Sequence, residues 1–409
     1  MKAGRAGAGA IFGIWVLGVA VGCGKATDDP DAVPGSAAGM GGDSTRGEAG
    51  EAGEAGEAGE MRPPLEPGTC GVLRTLKLPR DAEEASEALV ARQAGGFRVG
   101  PWMAGARNEE VRGLVIDATL QEQRSFHAFG SVFNDTFWSL FLGASPLGVH
   151  VYVGGQIGPG GDSAWNTRLW SDGGDSATQS GTLLHAPWRG TNRVLVQPAL
   201  DGAHAVLAVW PTALSEPRAA LIGPDGERVG QSLSLSPMDH QFSSCEQILP
   251  TAHGGIVSFV DSKTRELRFV ELGADGAATL DVSWPLPDGS SNVRCPLLTL
   301  DGAGLAFLIQ GDDTLSHTLG HVVSSGTIST SRLELEQDPG IFTLVGTDLL
   351  LLRTDFTLER RGASGSKIFP IDLERGSPLV VPSEAGSIYL DMHAPSGRSI
   401  VELSCAPPR

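Results

Sequence analysis

Two indoles five residues apart, Trp165 and Trp170, stand in a stretch rich in glycine, serine and aspartate, with Asp162, Asn166, Arg168, Asp172 and Asp175 around them. Indole faces stack on sugar rings, and carboxylate, carboxamide and guanidinium groups hydrogen-bond hydroxyls, so these residues form the candidate ligand site; the same rings would serve as anchors of a protein interface. A competing reading makes both indoles plugs over neighbouring elements, because large aromatics are mostly buried. Residues 154–181 interrupt an otherwise regular series of apolar runs and are read as a long loop. The aspartates of this stretch lack the alternating spacing of a dedicated calcium loop.

Other chemistry finds little support. Gly362-Ala363-Ser364-Gly365 has the look of a nucleophile elbow but sits where a hairpin turn is expected, not before a helix. The chain contains no His-Glu-x-x-His and no Cys-x-x-Cys, so no metal ligands and no cofactor are read from the sequence. Asp-Gly pairs at Asp201, Asp225, Asp275, Asp288 and Asp301 fall between apolar runs and are read as turns, in which the aspartate caps backbone N–H groups. A net charge of −18 with no basic run after the first residues excludes nucleic acid as a partner and leaves cationic surfaces as the charged alternative.

The start of the chain gives an address. Lys2 and Arg5 precede an apolar run from Ile11 to Val21, which ends in Ala20-Val21-Gly22-Cys23. The run is too short to span a bilayer, which takes about 20 residues. This pattern resembles the lipobox of bacterial lipoproteins, with Ala20 where such boxes more often carry leucine. The resemblance implies a signal peptide over 1–22, lipidation of Cys23 and a folded part outside the cytoplasm, tied to the membrane of the cell envelope. Gly24 lacks the aspartate of the familiar inner-membrane sorting signal, which favours the outer membrane. An ordinary secretory signal is the alternative.

Residues 23–67 follow as a lipidated cysteine and a spacer. From Gly24 to Pro67 large apolar side chains are almost missing, and ten acidic residues face three basic ones. Gly47 to Glu60 repeats Gly-Glu-Ala, four full triplets and the start of a fifth without proline, too few for a collagen helix. Such a segment cannot bury enough surface to fold alone and behaves as a coil with a reach of roughly 35 to 40 Å.

The elements that must position any site lie in residues 68–409. Short β-type runs broken by glycine turns dominate, apart from one or two helical turns expected at Asp81–Ala88. One apolar hairpin type recurs, turning near Gly202, Gly254, Gly302, Gly346 and Gly386, with weaker copies near Gly95 and Gly143. More polar hairpins lie between them, turning at Asp225-Gly226, Asp275-Gly276 and Ser325-Gly326. Four strands per repeat, the first apolar and the later ones amphipathic, fit a β-propeller blade. The fold expected is therefore all-β, a seven-bladed β-propeller closed by an N-terminal strand, with six or eight blades, or paired β-sandwiches, as alternatives.

The last repeat supplies three strands, and the segment from Cys70 to Leu78 is available as its fourth. That pairing sets Cys70 against Cys405 and predicts a disulfide between them, leaving Cys245 and Cys295 to pair. Without an ordered catalytic motif, the reading favours a non-catalytic envelope module that binds a protein or glycan partner. The enzyme alternative is a propeller glycoside hydrolase using channel carboxylates.

Overall fold

The computed structural model describes residues 60–61, 65–79 and, with short gaps between strands, 90–406; side chains are described over 65–79, in parts of 97–120 and, between gaps, from 195 onward. Cys23, most of the spacer and Asp81–Ala88 lie outside the described residues.

Strands β1 (Glu60–Met61) and β2 (Cys70–Lys77) come first and join the last sheet. Next, β3 (Val90–Gln93), β4 (Gly96–Ala104), β5 (Glu110–Asp117) and β6 (Gln123–Phe129) form an antiparallel sheet in chain order. The same order holds for β7 (Phe137–Ala144), β8 (Val149–Ile157), β9 (Asp162–Ser171) and β10 (Thr178–Pro187), and for β11 (Thr191–Pro198), β12 (Ala205–Pro211), β13 (Arg218–Ile222) and β14 (Arg228–Ser234). It recurs in β15 (Gln247–Pro250), β16 (Gly255–Val260), β17 (Glu266–Leu272) and β18 (Ala278–Pro285), and in β19 (Leu297–Asp301), β20 (Gly304–Gln310), β21 (Ser316–Val323) and β22 (Ile328–Glu334). A sixth sheet holds β23 (Pro339–Val345), β24 (Asp348–Arg353), β25 (Thr357–Gly362) and β26 (Gly365–Pro370). In the seventh, β27 (Ser377–Val381), β28 (Ser387–Ala394) and β29 (Gly397–Cys405) are followed by β2 and then β1.

Burial grades across each sheet as the sequence pattern requires. The second strand β16 is buried at all six positions, and β20 and β24 are buried at five. The third strands β17 and β21 mix buried with partly exposed positions, and the fourth strands β14, β18, β22 and β26 are mostly exposed. In β20, Leu305, Phe307 and Ile309 pack toward the preceding sheet, while Ala306 and Leu308 pack toward the next. Five apolar clusters of this kind link successive sheets from the third to the seventh, and the seventh to the first. A sheet covered on both faces by its chain neighbours, with first strands innermost and polar strands outermost, is a β-propeller arrangement rather than a pair of sandwiches.

The side chains that fill these layers are large. Phe307 lies between Phe269 and Trp284 of the preceding sheet, with ring centroids 5.3 Å from each. Its cross-strand partner is Gly320, where a Cβ would run into the Phe307 ring. Trp210 and Phe259 meet at 5.8 Å between the third and fourth sheets, and Phe97 and Tyr389 at 5.0 Å between the first and seventh.

Cys70 and Cys405 are cross-strand partners at the end of the β2–β29 ladder and are joined by a disulfide that spans 335 residues. Cys245 is also disulfide-bonded, and its expected partner Cys295 lies outside the described residues.

Three expectations need correction. Residues 154–181 are not one long loop, because the end of β8, all of β9 and the start of β10 lie within them. The hairpin expected near Gly143 is present as β7 paired with β8, but Gly143 itself lies within β7 opposite Val151 rather than at the turn. The spacer is not wholly unpaired, because Glu60 and Met61 add a short strand on the free edge of β2, opposite Thr75 and Arg74.

Replacing Cys70 and Cys405 by serine is expected to lower the unfolding free energy by about 2 to 5 kcal/mol in urea titrations, since the reduced chain regains the entropy of a very long loop. Gly320→Ala should cost about 1 to 3 kcal/mol in the same titration by overpacking against Phe307.

Candidate functional site

Five of the seven residues expected to bind ligand, Asp162, Trp165, Asn166, Arg168 and Trp170, lie in β9, the third strand of the second sheet. Asp172 and Asp175 lie outside the described residues. The β8–β9 ladder is regular from Val149 opposite Ser171 to Ile157 opposite Ser163. Successive strand positions alternate between faces, so positions 162, 166, 168 and 170 share one face and 165 belongs to the other.

The structure assembles a different cluster, from the turns of two successive first hairpins. Asp201 and His204 belong to the β11–β12 turn, and His253 to the β15–β16 turn one sheet further on. Leu200 N–H donates to Thr251 O (2.9 Å) and Asp201 N–H to Ala252 O (3.0 Å), tying the two turns together through their backbones. Gly254 completes the second turn at a point where a Cβ would meet the Leu272 carbonyl oxygen.

Within the cluster the two carboxylate oxygens of Asp201 have separate tasks. Oδ1 accepts from the backbone N–H of Ala203 (2.9 Å) and His204 (3.0 Å), which is the turn chemistry expected of an Asp-Gly pair. Asp225 and Asp275 cap their own turns in the same way, toward Glu227 N–H and Ala277 N–H. Oδ2 of Asp201 faces two imidazoles, with His204 Nδ1 at 2.6 Å and His253 Nδ1 at 2.9 Å. The rings meet edge-on, with centroids 6.2 Å apart. Burial works to raise the Asp201 carboxyl pKa, but the hydrogen bonds from His253, from the Ala203 and His204 N–H groups and from the His204 ring outweigh it and hold the pKa below the usual carboxylate value.

Sequence reasoning assigned Asp201 to a turn and passed over His204 and His253. The signal that would have found them is the repeat itself: Asp201 and His253 are 52 residues apart, about one repeat, so both fall in first-hairpin turns that the fold makes neighbours. Chemically, an anionic carboxylate holding two imidazoles can act as a hydrogen-bonded clasp between sheets. Its two nitrogens and one oxygen, all within 4.8 Å of one another, are also a donor set for a metal ion.

No protein-family model and no curated protein matches the chain. Among solved structures it is similar to the periplasmic gluconolactonase of Pseudomonas aeruginosa, at 12% identity over 78% of this chain and 88% of that one, with a TM-score of 0.40. It is also similar to an oligogalacturonate lyase in complex with manganese (10% identity, 86% and 98% covered, TM-score 0.39) and to the AfRom2 CNH domain (11%, 77% and 97%, 0.38). At identities this low the chemistry of each neighbour remains its own.

A carboxyl whose folded pKa is depressed contributes stability above its unfolded pKa and loses it as pH falls through the folded value. Asp201→Asn should therefore flatten the stability profile below about pH 4, where the wild type loses stability on acidification. Asp201→Ala also removes the cap at Oδ1 and should cost about 1 kcal/mol more than Asp201→Asn at pH 7, as read from urea unfolding at a series of pH values.

Proposed function

We propose that this chain is a cell-envelope lipoprotein, anchored through Cys23 in the outer membrane, whose propeller is a non-catalytic module that binds a protein or glycan partner. In this reading the seven sheets are seven blades, and β2 closes the ring by completing the last one. The reading is supported by the contacts of the sheets in chain order: β4 lies against β7, β7 against β11, β11 against β15, β15 against β19, β19 against β23, β23 against β28 and β27 against β3. A disulfide between Cys245 and Cys295 would link two neighbouring blades at matching positions, each just before a first strand.

The observation that carries the non-catalytic reading is the composition of the seven first strands, which line the axis. Together they contain one carboxylate, Asp301. Near it, Thr299 and Thr343 of adjacent first strands place their hydroxyls 3.1 Å apart in a buried contact. A glycoside hydrolase working in the channel needs two carboxyl groups about 5 to 9 Å apart, one on each side of the scissile bond. First strands of this composition do not supply that pair. Ligand contacts then fall to outer positions, and the residues singled out in the sequence narrow to Asp162, Asn166, Arg168 and Trp170, which share one face of β9.

Cys23→Ser is expected to move the protein from the membrane fraction to the soluble fraction of lysed cells; unchanged membrane retention would refute the lipid anchor. Incubated with a panel of envelope polysaccharides, the protein should retain one class without releasing new reducing ends, and Trp170→Ala should weaken that retention at least about tenfold. New reducing ends would establish the enzyme instead.

A further inference from the structure

We propose that Asp201, His204 and His253 bind one divalent transition-metal ion of the zinc class between two successive sheets, with a coordination position open to solvent. This site is independent of the lipid anchor and of the β9 residues.

Three features of the cluster support this. First, the donors converge: Nδ1 of both imidazoles and Oδ2 of Asp201 face one another, at 2.6 and 2.9 Å from the shared oxygen. A tetrahedral ion with bonds of about 2.0 to 2.1 Å holds its ligands roughly 3.3 Å apart, so rotation of the rings by under an ångström at Nδ1 makes room. Second, the carboxylate is already oriented. Both N–H bonds to Oδ1 fix it from behind and leave Oδ2 as a single-oxygen ligand, the kind of outer support that metal-binding carboxylates receive. Third, the two backbone bonds between the turns hold the ligands of different sheets at a fixed separation, so little chain ordering is left for the ion to impose.

Exposure sets the type of site. The Asp201 and His204 side chains are 19% and 20% exposed, while His253 is 62% exposed. An ion held by these three is covered on the protein side and open on the His253 side, as in zinc sites that keep water as a fourth ligand. Two imidazole nitrogens and one oxygen suit Zn²⁺, Co²⁺, Ni²⁺ or Cu²⁺ rather than Ca²⁺ or Mg²⁺, which prefer oxygen alone. To bind, each imidazole carries its ring proton on Nε2, which leaves the Nδ1 lone pair free for the ion.

The test uses the full chain with its disulfides intact, stripped by a chelator and titrated with Zn²⁺ at pH 7.5 against a chromophoric competitor. One equivalent is expected to bind, and His253→Ala and Asp201→Asn should each weaken it at least about tenfold. Co²⁺ should give visible absorption bands that His253→Ala abolishes. His253 is 62% exposed, so its variant should stay folded without metal, as far-UV circular dichroism reads, and a loss of binding then reports on ligation rather than folding. Absence of stoichiometric Zn²⁺ binding in the wild type, or equal affinity in wild type and both variants, would overturn the proposal and leave the cluster as a hydrogen-bonded clasp.

Discussion

Among the described residues, the sheets from the third to the seventh are apolar on both faces and have no way to cover either alone. In β16, Ile256 and Val260 pack toward the following sheet, while Val257 and Phe259 pack toward the preceding one. A buried side chain of this size contributes about 1.5 to 3 kcal/mol when removed from water, and a single four-stranded sheet would leave one whole face of such side chains wet. Stacking successive sheets is the solution open to a linear chain, and it leaves the first and last sheets with an uncovered face unless they meet. Leu76, Val381, Tyr389 and Ile400 of the seventh sheet meet Phe97, Val99, Leu114 and Ile116 of the first, so the two ends of the chain cover each other.

That constraint explains why the start of the folded part pairs with its end. β2 lies beside β29 from Cys70 opposite Cys405 to Lys77 opposite Ser399, with one register shift between Val72 and Arg74 and the disulfide at one end of the ladder. Beyond it, Ser387 and Tyr389 donate hydrogen bonds to Glu402 Oε1, and Arg74 of β2 reaches Glu402 Oε2 at 3.5 Å. Three strands are thus joined at one glutamate. Sheet edges elsewhere are blunted by the polar fourth strands, where Arg332, Glu334 and Lys367 face solvent, as exposed edges require.

Apolar hairpins at a period of 40 to 56 residues made the repeat legible, because a second strand buried on both faces needs an unbroken apolar run. Cys70 with Cys405 was legible for the same reason: an incomplete last repeat calls for a strand from the other end. The candidate site was harder to read. Glycine and serine in 154–181 suggested a loop, although the alternating Val149, Val151 and Val153 of β8 show that a strand enters it. His204 and His253 carry no motif, and their meeting depends on how two turns of different repeats pack, which local composition does not encode.

Strands buried on both faces also lose the usual guide to register. In a one-sided sheet, slipping by a residue exposes every apolar side chain; in β24, which reads Leu-Leu-Leu-Leu from 349 to 352, the same slip exchanges one leucine for another. Register must then come from groups that tolerate only one partner. Arg353 donates to Glu359 Oε2 from both Nε (3.0 Å) and Nη2 (2.7 Å) across β24 and β25, with both side chains buried. Arg398 grips both oxygens of Asp391 across β28 and β29, and Arg268 does so for Asp281 across β17 and β18. Burial works to raise the Asp391 carboxyl pKa, yet Arg398 and His393 hold it below its usual value, so the pair stays ionised. A buried ion pair adds little net stability over an apolar pair, but separating its members leaves two uncompensated charges, at about 3 to 5 kcal/mol. The buried pairs Arg353–Glu359 and Arg398–Asp391, placed between second and third strands, act against slipped registers rather than for the native one. The Asp201 clasp extends the same logic from strands within a sheet to turns of adjacent sheets: its three polar groups fit one relative placement of two otherwise greasy and slippery layers.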